Sequence, residues 1–544
     1  MNRLLDNYTS FDFFTACRFH NPAISILSRA ICCTDCPLES IRLMIAIDGG
    51  TVPRATKARS IALDSVRDAQ MLMKNSTAPS TVNAIAGFAG RAVSTSLKPD
   101  ARKLYKRNIL DSLGCAISAL PGAPFAALRE QFAEYRSGGS CTLIGGGKTA
   151  PDQAALYNSA LVRYVDLLDS YMSPGGLCHP SDNFGTILAA AEHAKASGED
   201  FMLALAVAYE IQCRFTAVVP VMAKGFNHAI QLAISAAAGA GKLFGLNDEQ
   251  IAHAISIATV DNISLTCVHA EPVSQWKGFS PGMTGMRAVY AASLAKRGFT
   301  GPSGLFEGPN GLLRMFDQKI DVDWSDDSLE IVKSTIMKKF CSLIHGQPVL
   351  EAVLKLKRDH DLAAKDIEAV RCDIFQSGFD IAGGGAFGPK DRPQTKEQAD
   401  YNLKYLIAAA LLDGEVGPAQ LEQSRVQAAD AQALLNRVEI RPEDAFTAKY
   451  PHELNTRVAI KTKDGRTFDR EQLGYEGGLG NPISWERTVE KFNWLSEPFA
   501  DAELRNNIVE AVVKIDERPI IDLMGLLGKV NPQAVYPASH PGIQ

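Results

Sequence analysis

Three short stretches hold the residue types that acid–base chemistry on an anion requires. In "YVDLLDSYMSPGGLCHPSDN", Asp166 and Asp169 close an apolar helix, Pro174, Gly175 and Gly176 force a loop, and His179 ends it. A carboxylate and an imidazole ten positions apart, Asp169 and His179, can converge across such a loop as a general base and its partner or orienter. The plainer reading is a cap: Ser181, Asp182 or Asn183 starts the next helix, "NFGTILAAAEHAKA". The two are compatible, because a helix N-terminus offers free N–H groups and partial positive charge to a carboxylate.

The second stretch, "SQWKGFSPGMTGMRA", sets Lys277 between Trp276 and a turn rich in Gly and Pro, where a bulky ring can restrict a cation meant for an anion. The third, "KKFCSLIHGQP", carries Lys338, Lys339 and His345 near an expected domain junction, and clefts between domains favour ligands. A fourth, "KGFNHAIQ", puts Lys224 and His228 at the start of an Ala-rich helix, where a lone His is more often structural than catalytic. Other chemistries lack their motifs. There is no GxxxxGK[ST], no GxGxxG after a strand, no GxSxG and no HExxH. "IGGGKTAPD" resembles a phosphate loop only superficially, since no buried strand leads into it, and "AGGGAFGP" reads as a mobile loop.

The elements that must position these groups are mostly helical. At 544 residues two or three cores are expected. A net charge of −5 with interspersed signs excludes a nucleic-acid stripe or a polybasic membrane patch. No apolar run reaches the roughly 20 residues of a membrane span. Eleven cysteines, seven of them scattered singly, favour reduced thiols over a disulfide framework. The lone Cys33-x-x-Cys36 lacks the four ligands of a structural zinc site, so no metal and no cofactor is expected. The N-terminal segment makes neither a convincing secretory signal nor a good presequence, and the compartment is read as cytoplasmic or mitochondrial.

"KNSTAPST" reads as a linker that ends an N-terminal extension at residues 1–78. Residues 79–330 carry helical periodicity, as in "DARKLYKRNILDSLGCAISAL", and Asn247 makes an N-cap before "DEQIAHAISIATV". Residues 331–470 mix helices with strands: "GQPVLEAVLKLKRDH" and "KEQADYNLKYLIAAALLDG" as helices, "IEAVRCDIF" and "LLNRVEIRP" as strands, and "TRVAIKTKDGRTFDRE" as a hairpin turning at Asp464-Gly465. Residues 471–535 are helical again. The expected fold is mainly α, a large helical domain formed by both ends of the chain with an inserted smaller α+β lid domain.

Together these segments resemble the MmgE/PrpD family, which includes 2-methylcitrate dehydratases, cis-aconitate decarboxylases and related epimerases. The resemblance rests on Asp169…His179-Pro-Ser-Asp-Asn, "GKLFGL", "WKG", "KKFCSLIHGQ", "ADYNLKYLIAAALLDGE" and "VAIKTKDG", and covers about residues 80 to 535. It implies a homodimer with a metal-independent site in the cleft between the domains. Asp169, His179, Lys277 and Lys338 match family positions that contact substrate or move its protons, with Lys339 the alternative to Lys338. Ser173, Asp182, Asn183, His228 and His345 complete the implied substrate-binding set. The HPSDN form of the motif resembles the dehydratase branch, whose reaction eliminates water from a 2-alkylcitrate tricarboxylate, in propionate catabolism or in alkylcitrate-derived secondary metabolism. Lys277 and Lys338 are then expected to clamp carboxylates, and Asp169 and His179 to share the proton transfers. The small loop "SYMSPGGLC" is expected to widen the pocket for a longer alkyl chain. The competing readings are decarboxylation of cis-aconitate to itaconate and a non-catalytic scaffold.

Overall fold

A computed structural model of the protein describes residues 80–537 apart from 136–137 and 318. The N-terminal cysteines and the extension at residues 1–78 lie outside the described residues. The chain is mainly helical with small sheets. Helices α1 (Thr81–Arg91), α2 (Pro99–Ser118), α3 (Ala123–Glu134), α4 (Pro151–Tyr164), α5 (Phe184–Ala194), α6 (Gly198–Val218), α7 (Ala229–Leu243), α8 (Asp248–Val260) and α9 (Trp276–Ala295) come first. α9 packs on α4 and α7, and α7 packs on α6. Small residues allow these close crossings: a Cβ at Gly282 of α9 would stand 2.6 Å from the Leu156 carbonyl of α4. α6 is long and apolar enough by composition to cross a membrane, yet 83% of its apolar window is buried in the core. Asn247 caps α8 as expected: its side chain accepts from the Gln250 N–H at 2.9 Å, and Gln250 returns a bond to the Asn247 N–H at 3.1 Å.

Strands β1 (Cys141–Thr142) and β2 (Lys148–Thr149) form a small ribbon, turned by Gly145–Gly147 at positive φ. A three-stranded sheet of order β4-β3-β5 joins β3 (Ser170–Ser173), β4 (Gly176–Cys178) and β5 (Thr335–Ile336). Its register pairs Ser170 with Ile336 and Tyr171 with Thr335, which draws the segment containing Lys338 onto the Asp166–His179 loop. The larger sheet has order β7-β6-β8-β9, from β6 (Ile367–Ile374), β7 (Val438–Pro442), β8 (Asn455–Thr462) and β9 (Thr467–Leu473). β6 and β7 are parallel, and β8 and β9 form the expected Asp464-Gly465 hairpin with Gly465 at φ 88°. α10 (Gln347–Asp359) lies against β8 and β9, and α11 (Leu403–Asp413) against β7.

After the sheet come α12 (Trp485–Ser496), α13 (Ala502–Val513) and α14 (Ile520–Leu527). α12 and α13 pack on α2, and α14 packs on α5. Lys491 of α12 pairs with Asp111 of α2 at 2.6 Å and donates to the carbonyls of Leu167 and Lys338 at 3.1 and 2.7 Å. One buried ammonium from near the C-terminus therefore ties together the two segments that carry the site. All seven described cysteines are free, and six of them are buried.

Two expected elements differ. "KEQADYNLKYLIAAALLDG" is not one helix: it breaks after Ala399, and Asn402 recaps α11 by accepting from the Tyr405 N–H at 3.0 Å. The break leaves Asp400 as the C-cap of the short first helix, its N–H donating to the Lys396 carbonyl, and puts Tyr401 in the turn before α11. Ser181, Asp182 and Asn183 do not cap α5, because their side chains bond elsewhere. Instead a 3₁₀ turn over Pro180–Asn183 leads into the helix, with the Asp182 N–H donating to the His179 carbonyl at 3.0 Å.

Candidate active site

The site is built around Asp166. α4 ends at Tyr164, and Asp166 takes a left-handed backbone conformation, φ 52°, uncommon for a residue with a Cβ. That turn directs the carboxylate back at Arg163, whose Nη1 donates to Oδ1 at 2.6 Å. Lys338 Nζ donates to the same oxygen at 2.7 Å and to the Asp166 carbonyl at 3.1 Å. Lys277 Nζ stands 3.6 Å from Oδ2. All four side chains are buried. Burial alone would push the Asp166 carboxyl up, but Arg163, Lys338 and Lys277 outweigh it and hold the group well below the ordinary range.

Lys277 enters from the first turn of α9, where an irregular turn was expected. Trp276 is exposed and does not confine it. Its Nζ lies 3.9 Å from the ring centre of Tyr401 and 2.5 Å from Asp400 Oδ1, both at the break before α11. Asp400 Oδ2 also takes Lys396 at 2.8 Å. Burial lowers Lys277 to about 8, against the pull of Asp400 and Asp166, and burial likewise lowers Lys338. Lys339 pairs instead with Glu351 and Glu476 at 3.4 and 3.0 Å, so Lys338 is the lysine of the cluster. A cavity of about 490 Å³ has Tyr164 and Lys396 in its wall, which sets Lys396 between that cavity and the cluster.

Asp169 has a different setting. Its Oδ1 accepts from the Ser181 N–H and hydroxyl at 3.0 and 2.6 Å, and its Oδ2 from Asn108 and Tyr209, both at 3.0 Å. Burial raises the carboxyl to about 6 despite these four neutral donors. The Asp169 carbonyl lies 2.8 Å from His179 Nδ1. A carbonyl can only accept, so the proton sits on Nδ1, with Ser170 Oγ at 3.0 Å beside it. Nε2 is left with a lone pair and no hydrogen-bond partner among the described residues. Burial, then Arg163, Lys338 and His228, hold the His179 ring well below its usual range, hence neutral.

The His228 ring stands edge-on to His179 at 5.1 Å, and its Nε2 meets Asp182 Oδ2 at 3.1 Å. His269, not singled out from the sequence, stacks on Tyr401 with centroids 5.2 Å apart. Asn227 Oδ1 accepts from the Ala229 N–H, so its amide nitrogen faces His269 Nε2 at 2.9 Å, and His269 carries its proton on Nδ1. Asn183 and Ser173 are held by partners of their own. Asn183 donates to the Pro180 carbonyl and to Gln212 and accepts from Ser235. The Ser173 hydroxyl faces the carbonyls of Gly176 and Thr216 at 3.3 Å. His345 Nε2 faces Tyr450 at 3.3 Å while its Nδ1 is buried without a partner; burial, then Lys338, lowers it to about 4 against the pull of Asp166, which keeps it with the cluster. The glycine loop does not widen a pocket at Gly175: a Cβ there would lie 2.4 Å from the Ala217 carbonyl of α6, so the small residue serves close packing.

A buried group of cations beside the imidazoles of His179, His228 and His269 is an arrangement suited to acid–base chemistry on an anion. The chain belongs to the MmgE/PrpD family. Residues 83–325 match the MmgE/PrpD N-terminal domain and residues 340–516 the C-terminal domain. The sequence is similar to 2-methylcitrate dehydratase of Escherichia coli K12, 28% identical over 407 residues, 68% of this chain and 80% of the relative. It is 25% identical to the cis-aconitate decarboxylase-like protein oryM of Aspergillus oryzae, over 80% of this chain and 95% of that one. It is also 25% identical to the alkylcitrate dehydratase phiI of a fungal species, over 71% and 81% of the two chains.

Proposed function

We propose that the protein is a hydro-lyase that removes water from 2-methylcitrate or a longer 2-alkylcitrate to give the alkyl-cis-aconitate. The observation that carries this reading is the buried convergence of Lys277 and Lys338 on Asp166, beside His179 and His228. Elimination takes a weakly acidic proton next to a carboxylate and needs an acid for the departing hydroxyl. The lysines clamp substrate carboxylates and stabilise the carbanion-like charge of the transition state. His179 Nε2 is the base, with Asp169 as its positioning residue through the carbonyl on Nδ1 and the bonds to Ser181. His228, held through Nε2 by Asp182, is the acid: in its doubly protonated form it gives the Nδ1 proton to the departing hydroxyl, which leaves as water. Ammonium groups supply the charge stabilisation, so activity is expected to survive exhaustive chelation.

The protein is incubated with 2-methylcitrate, longer 2-alkylcitrates and cis-aconitate, and products are read by mass spectrometry. Loss of a water mass from an alkylcitrate supports the reading. Loss of carbon dioxide from cis-aconitate replaces it with the decarboxylase reading, and no change with any substrate favours a scaffold. The working unit is a homodimer in this proposal, a reading supported by the exposed apolar residues Ile263, Leu265, Trp276 and Tyr290. Sedimentation analysis checks it.

A further inference from the structure

Arg163 is a buried cation that the reaction as described does not use. It stands in the last turn of α4, is 1% exposed, and gives Nη1 to Asp166, with the Tyr401 hydroxyl as a hydrogen-bonding neighbour. Nε and Nη2 are buried with no hydrogen-bond partner. Leaving donors of a charged group unmet in a protein interior is costly, so such a group calls for an explanation. It is not isolated: Asp182 Oδ1, His228 Nδ1 and His269 Nδ1 are also buried and unpartnered. Asp182 and Asp166 are electrostatic neighbours of the guanidinium, which in turn acts on His179 and His269. The Nε–Nη2 edge of a guanidinium is a planar fork that matches a carboxylate. His269 adds a further N–H, and Asp182 Oδ1 offers an acceptor to a hydroxyl. The unmet groups thus have the polarity of a hydroxy acid.

The arrangement around Asp166 gives the guanidinium its setting. Arg163, Lys277 and Lys338 share this carboxylate, and Asp400 serves Lys277 together with Lys396. Asp182 is a further electrostatic neighbour of Arg163, and Glu397 of Lys396, so every cation here lies within reach of a carboxylate, and only the guanidinium keeps buried donors unmet. We propose that Arg163 binds one substrate carboxylate through Nε and Nη2, a third cation beside Lys277 and Lys338, with Asp166 as the shared counter-ion that holds all three. This rests on the hydro-lyase reading, because three buried cations answer the three carboxylates of an alkylcitrate.

The test compares the intact protein with Arg163→Gln and Arg163→Lys, using variants whose circular dichroism matches the parent. KM for 2-methylcitrate is measured, together with inhibition constants for a panel of dicarboxylate analogues, each lacking a different carboxyl group of the substrate. Arg163→Gln is expected to raise KM about 10- to 100-fold. Arg163→Lys, which keeps the charge without the fork, should raise it about 10-fold or less and serves if the Gln variant does not fold. The informative result is selective: inhibition by one dicarboxylate, the one lacking the carboxyl held by Arg163, changes little on substitution. Equal weakening of every ligand overturns the assignment in favour of a structural role, and unchanged KM overturns it outright. If the intact protein binds no tricarboxylate at all, the hydro-lyase reading falls and the Arg163 assignment with it.

Discussion

Asp166 and Asp169 stand three residues apart, both buried, yet their surroundings are opposite. Asp166 faces Arg163, Lys277 and Lys338 and is held well below the ordinary carboxylate range; Asp169 faces four neutral donors and is raised to about 6. Burial works upward on both, so charge partners decide the difference. The lesson concerns function. A carboxylate among cations fixes where an anion can bind, whereas one among N–H and O–H groups fixes a loop, here the loop that presents His179.

The contrast predicts unequal costs of removal. Asp166→Asn takes the paired counter-ion from Arg163 and Lys338, leaves Lys277 with Asp400 alone, and is expected to cost about 3–5 kcal/mol in denaturant unfolding. Asp169→Asn removes acceptor capacity from neutral donors and should cost about 1–3 kcal/mol. The reverse ranking would break the comparison. Acid titration sharpens it. Folded Asp169 titrates at about 6, above the ordinary value of about 3.9, so the folded state takes up the proton first. The parent should therefore gain stability relative to Asp169→Asn as pH falls from about 6 to about 4, by at most about 1.4 kcal/mol per pH unit. Asp166 runs the other way. Its contribution is complete above the ordinary value and is lost only as pH falls below about 3.9 toward its folded pKa, so the gap to Asp166→Asn should stay flat from pH 6 to 4. A gap that closes in that window contradicts the cation cluster. The smallest effect belongs to Lys339→Ala, which breaks pairs with Glu351 and Glu476 outside the cluster. It should cost about 1 kcal/mol or less and leave KM unchanged.

Local pattern carried much of the fold into the sequence. The apolar spacing of α2, the N-cap at Asn247 and the Asp464-Gly465 hairpin are decided within a few residues, and all were legible. The break before α11 was not, because an apolar run rich in Ala hides the turn at Asp400–Asn402 that brings Asp400 and Tyr401 to Lys277. Asp166 was visible at a helix end, but its contact with Lys338 spans 172 positions and depends on the β3–β5 pairing. Trp276 beside Lys277 misdirected the local reading, since successive helix residues point apart and the ring under the ammonium comes from Tyr401. Arg163 carried one signal, the single charge among the buried residues of α4.

The most direct test of the account is His179→Ala assayed with 2-methylcitrate, with ligand affinity and fold measured on the same sample. The account predicts turnover reduced by about 10²- to 10⁴-fold, tricarboxylate affinity within a few-fold of the parent, and an unchanged circular dichroism spectrum. Near-normal dehydration by that variant would contradict it.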